Sequence, residues 1–74
     1  MSAEYDLVVA NILAQPLIML APLLAARTAR GGRIALSGIL DTQAAEVAAA
    51  YAPGFACVVS ASDEGWALVE GRRV

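Results

Sequence analysis

Between Asp6 and Arg27 the chain carries no charge, and an uncharged stretch of that length either crosses a bilayer or is buried in a protein core. Its flanks fit the first case, with acids before it and Arg27, Arg30 and Arg33 after it, the charge pattern of a membrane helix. Its interior argues for the second. Asn11, Gln15, Pro16 and Pro22 interrupt the stretch, and each proline inside a helix removes a backbone hydrogen bond. Nor is it a secretory signal, because Glu4 and Asp6 are of the wrong sign for the basic start of one. The stretch therefore divides into a strand and a helix. Val8 and Val9 are β-branched and follow Tyr5 and Leu7, which predicts a strand from Tyr5 to Ala10, buried on both faces in a parallel sheet. After an ANIL turn, Pro16 suits the first turn of a helix on which Leu17, Leu20 and Leu24 recur along one face. Pro22 is expected to kink or restart that helix.

The rest of the chain repeats the pattern. Gly31-Gly32 supplies the left-handed backbone that ends a helix, and the arginines before it complement the negative end of the helix dipole. Arg33 to Ser37 reads as a second strand, followed by a small-residue turn at Gly38-Ile39-Leu40. Asp41 or Thr42 can cap a second helix, with Ala44, Val47, Ala48 and Tyr51 facing inward while Gln43 and Glu46 stay wet. Pro53-Gly54 stops it. Phe55 to Ala61 is a third strand and Trp66 to Gly71 a fourth, joined through Ser62-Asp63-Glu64-Gly65 as an antiparallel hairpin. The order β-α-β-α-β-β, with right-handed crossovers, makes half of a doubly wound α/β sheet.

At 74 residues the chain is one small domain, and a domain of this size buries only about 60 % of its unfolded surface. Apolar residues make up 59 % of it and charged residues 16 %, a composition that demands a packed core and hints at a missing partner surface. Seven acids against five arginines leave a net charge of -2, which cannot create the broad positive field that nucleic-acid binding needs. The single cysteine, Cys57, excludes an internal disulfide and a cysteine-rich zinc site, and fits a reducing cytoplasm. With no histidine, few side chains remain for metal or triad chemistry, and neither a metal site nor a catalytic residue is expected.

In open parallel sheets ligands bind beyond the carboxyl ends of the strands, where Asn11 falls. Its carboxamide offers two donors and an acceptor, enough to hold a cofactor's amino-acid part or to orient an incoming amine. The alternative is a local role, bonding backbone N–H groups to shape the turn into the helix. Gly38 can let backbone approach a substrate, or serve turn chemistry alone. Ser37 lacks the G-x-S-x-G surroundings of a nucleophile. Asp63 and Glu64 read as a solvated hairpin turn, since paired acid-base carboxylates need a cleft around them. Cys57 reads as a small hydrophobe and Trp66 as a core or hairpin-packing residue. Gly31-Gly32 follows a helix and precedes a strand, the reverse of a phosphate-binding fingerprint.

The ordered set YDLVVANIL, PLIMLAPLLA, GGRIALSGIL, then Gln43, Glu46, Tyr51-Ala52-Pro53 and GWALVEGRR resembles the C-terminal part of the ribosomal protein L-eleven methyltransferase family. These are class I enzymes that transfer a methyl group from S-adenosylmethionine to amino groups of a ribosomal protein. The likeness runs from Tyr5 to Arg73, and ANIL, LAP, SGIL and GW together are far more specific than any one of them. It implies half of a Rossmann-like domain, a mixed four-stranded sheet in the order first, second, fourth, third, with the last strand antiparallel. It also implies that Asn11 contacts the cofactor and that Ile12 and Leu13 wall the site.

The family's glycine-rich cofactor loop, its ribose-holding acid and its N-terminal substrate domain have no counterpart in this sequence. The expectation is a C-terminal fragment of a cytoplasmic enzyme that by itself neither binds S-adenosylmethionine measurably nor transfers methyl groups. Its first strand, central in such an enzyme, becomes an exposed apolar edge, for which a homodimer through Leu7 to Ala10 is expected. A stand-alone α/β module that binds a partner through that edge is the alternative, and a small membrane protein the third.

Overall fold

The computed structural model describes residues 4–74. Four strands, β1 (Tyr5–Asn11), β2 (Thr28–Leu40), β3 (Phe55–Asp63) and β4 (Trp66–Arg73), and two α-helices, α1 (Ala14–Arg27) and α2 (Ala44–Tyr51), follow in the expected order, with a single 3-10 turn at Asp41–Gln43 leading into α2. The sheet order is β1-β2-β4-β3. β1 runs parallel to β2, while β4 is antiparallel to both of its neighbours, β2 and β3. The last strand thus inserts between two strands made before it, as the family resemblance implies. No helix among the described residues is long and apolar enough to cross a membrane.

Both helices cover one face of the sheet. Ile34, Leu36 and Ile39 from β2 and Ala67 and Val69 from β4 meet Leu17 and Ala21 of α1 and Val47 and Tyr51 of α2 in one buried cluster. The inward stripe of α2 is as expected, with Ala44, Val47 and Tyr51 buried and Glu46 exposed. Tyr51 donates its hydroxyl to the Leu17 carbonyl at 2.7 Å, tying α2 to α1, and its ring packs tilted against Phe55 with centroids 5.9 Å apart. Arg73 closes the far end, its guanidinium donating to the carbonyl of Ala25 at the end of α1 and to that of Gly54 before β3.

Four local expectations need correction. The first strand is not buried on both faces: Val8 and Ala10 are half-buried against the helical layer, while Leu7 and Val9 are 61 % and 66 % exposed, because β1 is an edge with no second layer over it. Pro22 does not restart the helix, which runs unbroken from Ala14 to Arg27. Thr28, not the glycine pair, stops α1, by turning extended, donating its N–H to the Ala25 carbonyl and its hydroxyl to that of Leu24. Gly31-Gly32 instead lies in an irregularity of β2, where the register with β1 jumps from Tyr5↔Thr28 to Leu7↔Arg33. Gly38 likewise stands inside β2, not after it: pairing with β4 shifts between Leu36 and Ile39, a bulge that prolongs the strand to Leu40.

Candidate functional site

The bulge in β2 shapes the carboxyl end of the sheet. Gly38 adopts φ +79°, and a side chain at that position would come within 2.8 Å of the Asn11 Oδ1 and 2.9 Å of the Ile12 carbonyl oxygen. Only a residue without Cβ lets β2 pass this close beneath the end of β1. The Asn11 carboxamide therefore rests on bare backbone, and Asn11 pairs in register with Ser37. It does not cap α1, whose N-cap position is Leu13 and has no side-chain hydrogen bond.

Asn11, Ser37 and Gly38 form one wall of an open cleft of about 550 Å³ on the sheet face that the helices leave bare. The opposite wall is the β3–β4 hairpin, with Ala61 and Leu68 on its strands and Asp63, Glu64 and Trp66 at its tip. Glu64 and Gly65 make the hairpin connection, both at positive φ, the conformation of a tight two-residue turn. This places two carboxylates and an indole at the mouth of the cleft. Trp66 is 52 % exposed, which excludes the core role and leaves the hairpin one; it lines this cleft and also a smaller apolar one of about 270 Å³ formed with Leu13, Ala14, Pro16 and Leu40.

Of the three residues singled out from sequence, Asn11 lines the larger cleft and Leu13 the smaller. Ile12 is half exposed between them, with its carbonyl against Gly38. Sequence reasoning left Asp63, Glu64 and Trp66 outside the site. The signal that brings them in is the strand order: once β4 pairs with β2, the hairpin tip must stand beside the carboxyl ends of β1 and β2. Cys57 lies on β3, half-buried, and burial pushes its thiol pKa up, which suits packing more than nucleophilic chemistry.

An open α/β sheet with a polar carboxamide at the carboxyl end of a parallel strand and a cleft beside it defines a ligand-binding class of fold. Comparison with known proteins makes the assignment specific. All 74 residues match the family described as ribosomal protein L11 methyltransferase (PrmA). The chain is 56 % identical over 71 residues to the ribosomal protein L11 methyltransferase of Cupriavidus taiwanensis, covering 96 % of this chain and 24 % of that protein. It is 54 % identical over 68 residues to that of Neisseria gonorrhoeae, covering 92 % of this chain and 23 % of the relative. A crystal structure of ribosomal protein L11 methylase from Lactobacillus delbrueckii subsp. bulgaricus superposes with a TM-score of 0.86 at 30 % identity, over 96 % of this chain and 37 % of that one. The chain belongs to the ribosomal protein L11 methyltransferase family. It spans about a quarter of the length of the curated relatives it matches.

Proposed function

We propose that this chain supplies the C-terminal half of the methyltransferase fold of an S-adenosylmethionine-dependent enzyme of the cytoplasm that methylates a ribosomal protein, and that the Asn11 cleft is its share of the cofactor and amine site. The observation behind this reading is the Asn11–Gly38 contact, which seats a carboxamide at the mouth of the sheet, where Asn11 lines the open cleft. The residues suit an uncharged polar contact to the donor's amino-acid part or to the incoming amine: Asn11 to accept or donate a hydrogen bond, with Ile12 and Leu13 as apolar neighbours. S-adenosylmethionine supplies the electrophilic methyl group. This chain's part is to orient, since transfer requires both reactants held in line. One carboxamide and an open cleft do not enclose a cofactor, so the 74 residues on their own bind it too weakly to measure and do not turn over.

The test is a chimera in which these residues replace the matching segment of the Cupriavidus taiwanensis relative. It should bind S-adenosylmethionine and methylate ribosomal protein L11, and Asn11→Ala should weaken cofactor binding or turnover about tenfold, the loss of one hydrogen bond to a charged group. A chimera indifferent to Asn11→Ala removes the assigned role. Saturable shifts around Asn11 when micromolar S-adenosylmethionine is titrated into the isolated labelled chain contradict the expected inactivity.

For the chain by itself, the partner we infer is a second copy, joined through the strand segment from Leu7 to Ala10. The exposure of Leu7 and Val9 on an edge strand supports it.

A further inference from the structure

Gly38 is held in place from the side of β2. Leu36 pairs with Val69 and Ile39 with Ala67, so two residues of β2, Ser37 and Gly38, stand against one residue of β4, Leu68, which is the count of a β-bulge. Ala67 and Val69 lie two apart on β4 and face the helices by simple alternation. The extra residue lets Leu36 and Ile39, three apart on β2, do the same, and all four are buried in the core cluster. At Gly38, therefore, β2 cannot retreat without pulling Leu36 or Ile39 away from the helical layer.

On its other side Gly38 meets the end of β1. A Cβ there would stand 2.8 Å from the Asn11 Oδ1, 2.9 Å from the Ile12 carbonyl oxygen and 3.3 Å from the Ile12 carbonyl carbon, so something must shift. With β2 pinned, the yielding side is the short segment between Ala10 and Ala14. Those two pack with the core, whereas Asn11, Ile12 and Leu13 do not belong to it. The displacement would fall on the three residues that the sequence and the proposed function assign to the site.

We propose that Gly38 is a positioning residue: by lacking a Cβ it sets where the Asn11 carboxamide and the Ile12 backbone stand toward the methyl donor and the amine. This rests on the role proposed for Asn11 and adds the residue through which that role is kept in place. Gly31 is the internal control, since it has the same φ of +79° but a Cβ on it meets nothing within 4 Å.

The test uses the chimera described above. Gly38→Ala should weaken S-adenosylmethionine binding or turnover about tenfold, as Asn11→Ala does, while Gly31→Ala, with the same left-handed strain, should stay within about twofold of the parent. The double variant Asn11→Ala/Gly38→Ala should lose about tenfold and not the roughly hundredfold of two independent losses. Thermal melts report whether each variant is folded; a merely structural role lowers the midpoint without this non-additivity. One measurement needs no substitution at position 38: with asparagine selectively labelled, three-bond couplings of Asn11 in the chimera should report a single χ1 rotamer. Averaging among rotamers, a Gly38→Ala that behaves as Gly31→Ala does, or a double variant whose losses multiply overturns the positioning role and leaves that of Asn11 standing. An Asn11→Ala without effect overturns the role on which this one rests, and this one with it.

Discussion

At the scale of single residues, Gly38 and Tyr51 answer different questions. Gly31 and Gly38 share φ +79°, but a Cβ on Gly31 meets nothing within 4 Å while one on Gly38 meets Asn11 and Ile12. Gly31→Ala therefore incurs only the left-handed backbone strain, about 1 kcal/mol. Gly38→Ala should cost about 2 to 3 kcal/mol, because the end of β1 must also move. Urea denaturation of the two variants separates the terms, and equal losses would mean that β1 and β2 do not approach as closely as described. Tyr51 reports on the core. Burial, helped by the charge of a Cys57 thiolate, pushes its phenol up to about 12, so the folded chain keeps a proton that the unfolded chain releases near pH 10. Its contribution is intact below pH 10 and is lost as pH rises toward 12, by roughly 2 kcal/mol. Chemical denaturation between pH 8 and 11.5 should show this fall in the wild type and a smaller one in Tyr51→Phe, which lacks the titrating group.

At the scale of elements, α1 is held against its own sequence. Pro16 is harmless, since it lies in the first turn, where a backbone N–H has no partner within the helix. Pro22 sits mid-helix and leaves the Ile18 carbonyl without its usual donor. The helix survives because Leu17 and Ala21 are buried against the sheet and because both ends are tied: the Leu17 N–H to the Leu13 carbonyl at the start, and the Leu24 and Ala25 carbonyls to Thr28 and Arg73 at the finish. Pro22 itself is exposed, so replacing it leaves no cavity. Pro22→Ala should stabilise the domain by about 1 kcal/mol, the recovered helical propensity outweighing the added freedom of the unfolded chain. A thermal melt checks this, and a lower midpoint would show that the proline is instead shaping the packing of α1.

At the scale of the whole molecule, periodicity made the order and type of every major element legible in the sequence, and the resemblance supplied the inserted last strand. What stayed hidden was contingent on pairing. Neither bulge in β2 has a local signature, since Gly31-Gly32 and Gly38-Ile39 read equally well as turns; only β1 and β4 lying alongside convert them into strand. The cleft was legible at Asn11, which its position at a strand end betrays. It was not legible at Asp63, Glu64 and Trp66, which are far from Asn11 in sequence and reach the cleft only through the β2–β4 register. Trp66 shows why composition misleads in a thin sheet: with helices on one side only, half the apolar positions have no layer to enter.

The insertion of β4 between β2 and β3 also has a temporal meaning. Chain synthesis runs from the amino end, so β2 and β3 are complete while the strand that joins them is still missing, and Arg73, which ties the end of α1 to the start of β3, is added later still. The sheet can therefore close only once β4 has been made, and until then β2 and β3 each present a bare hydrogen-bonding margin to whatever a nascent polypeptide meets first.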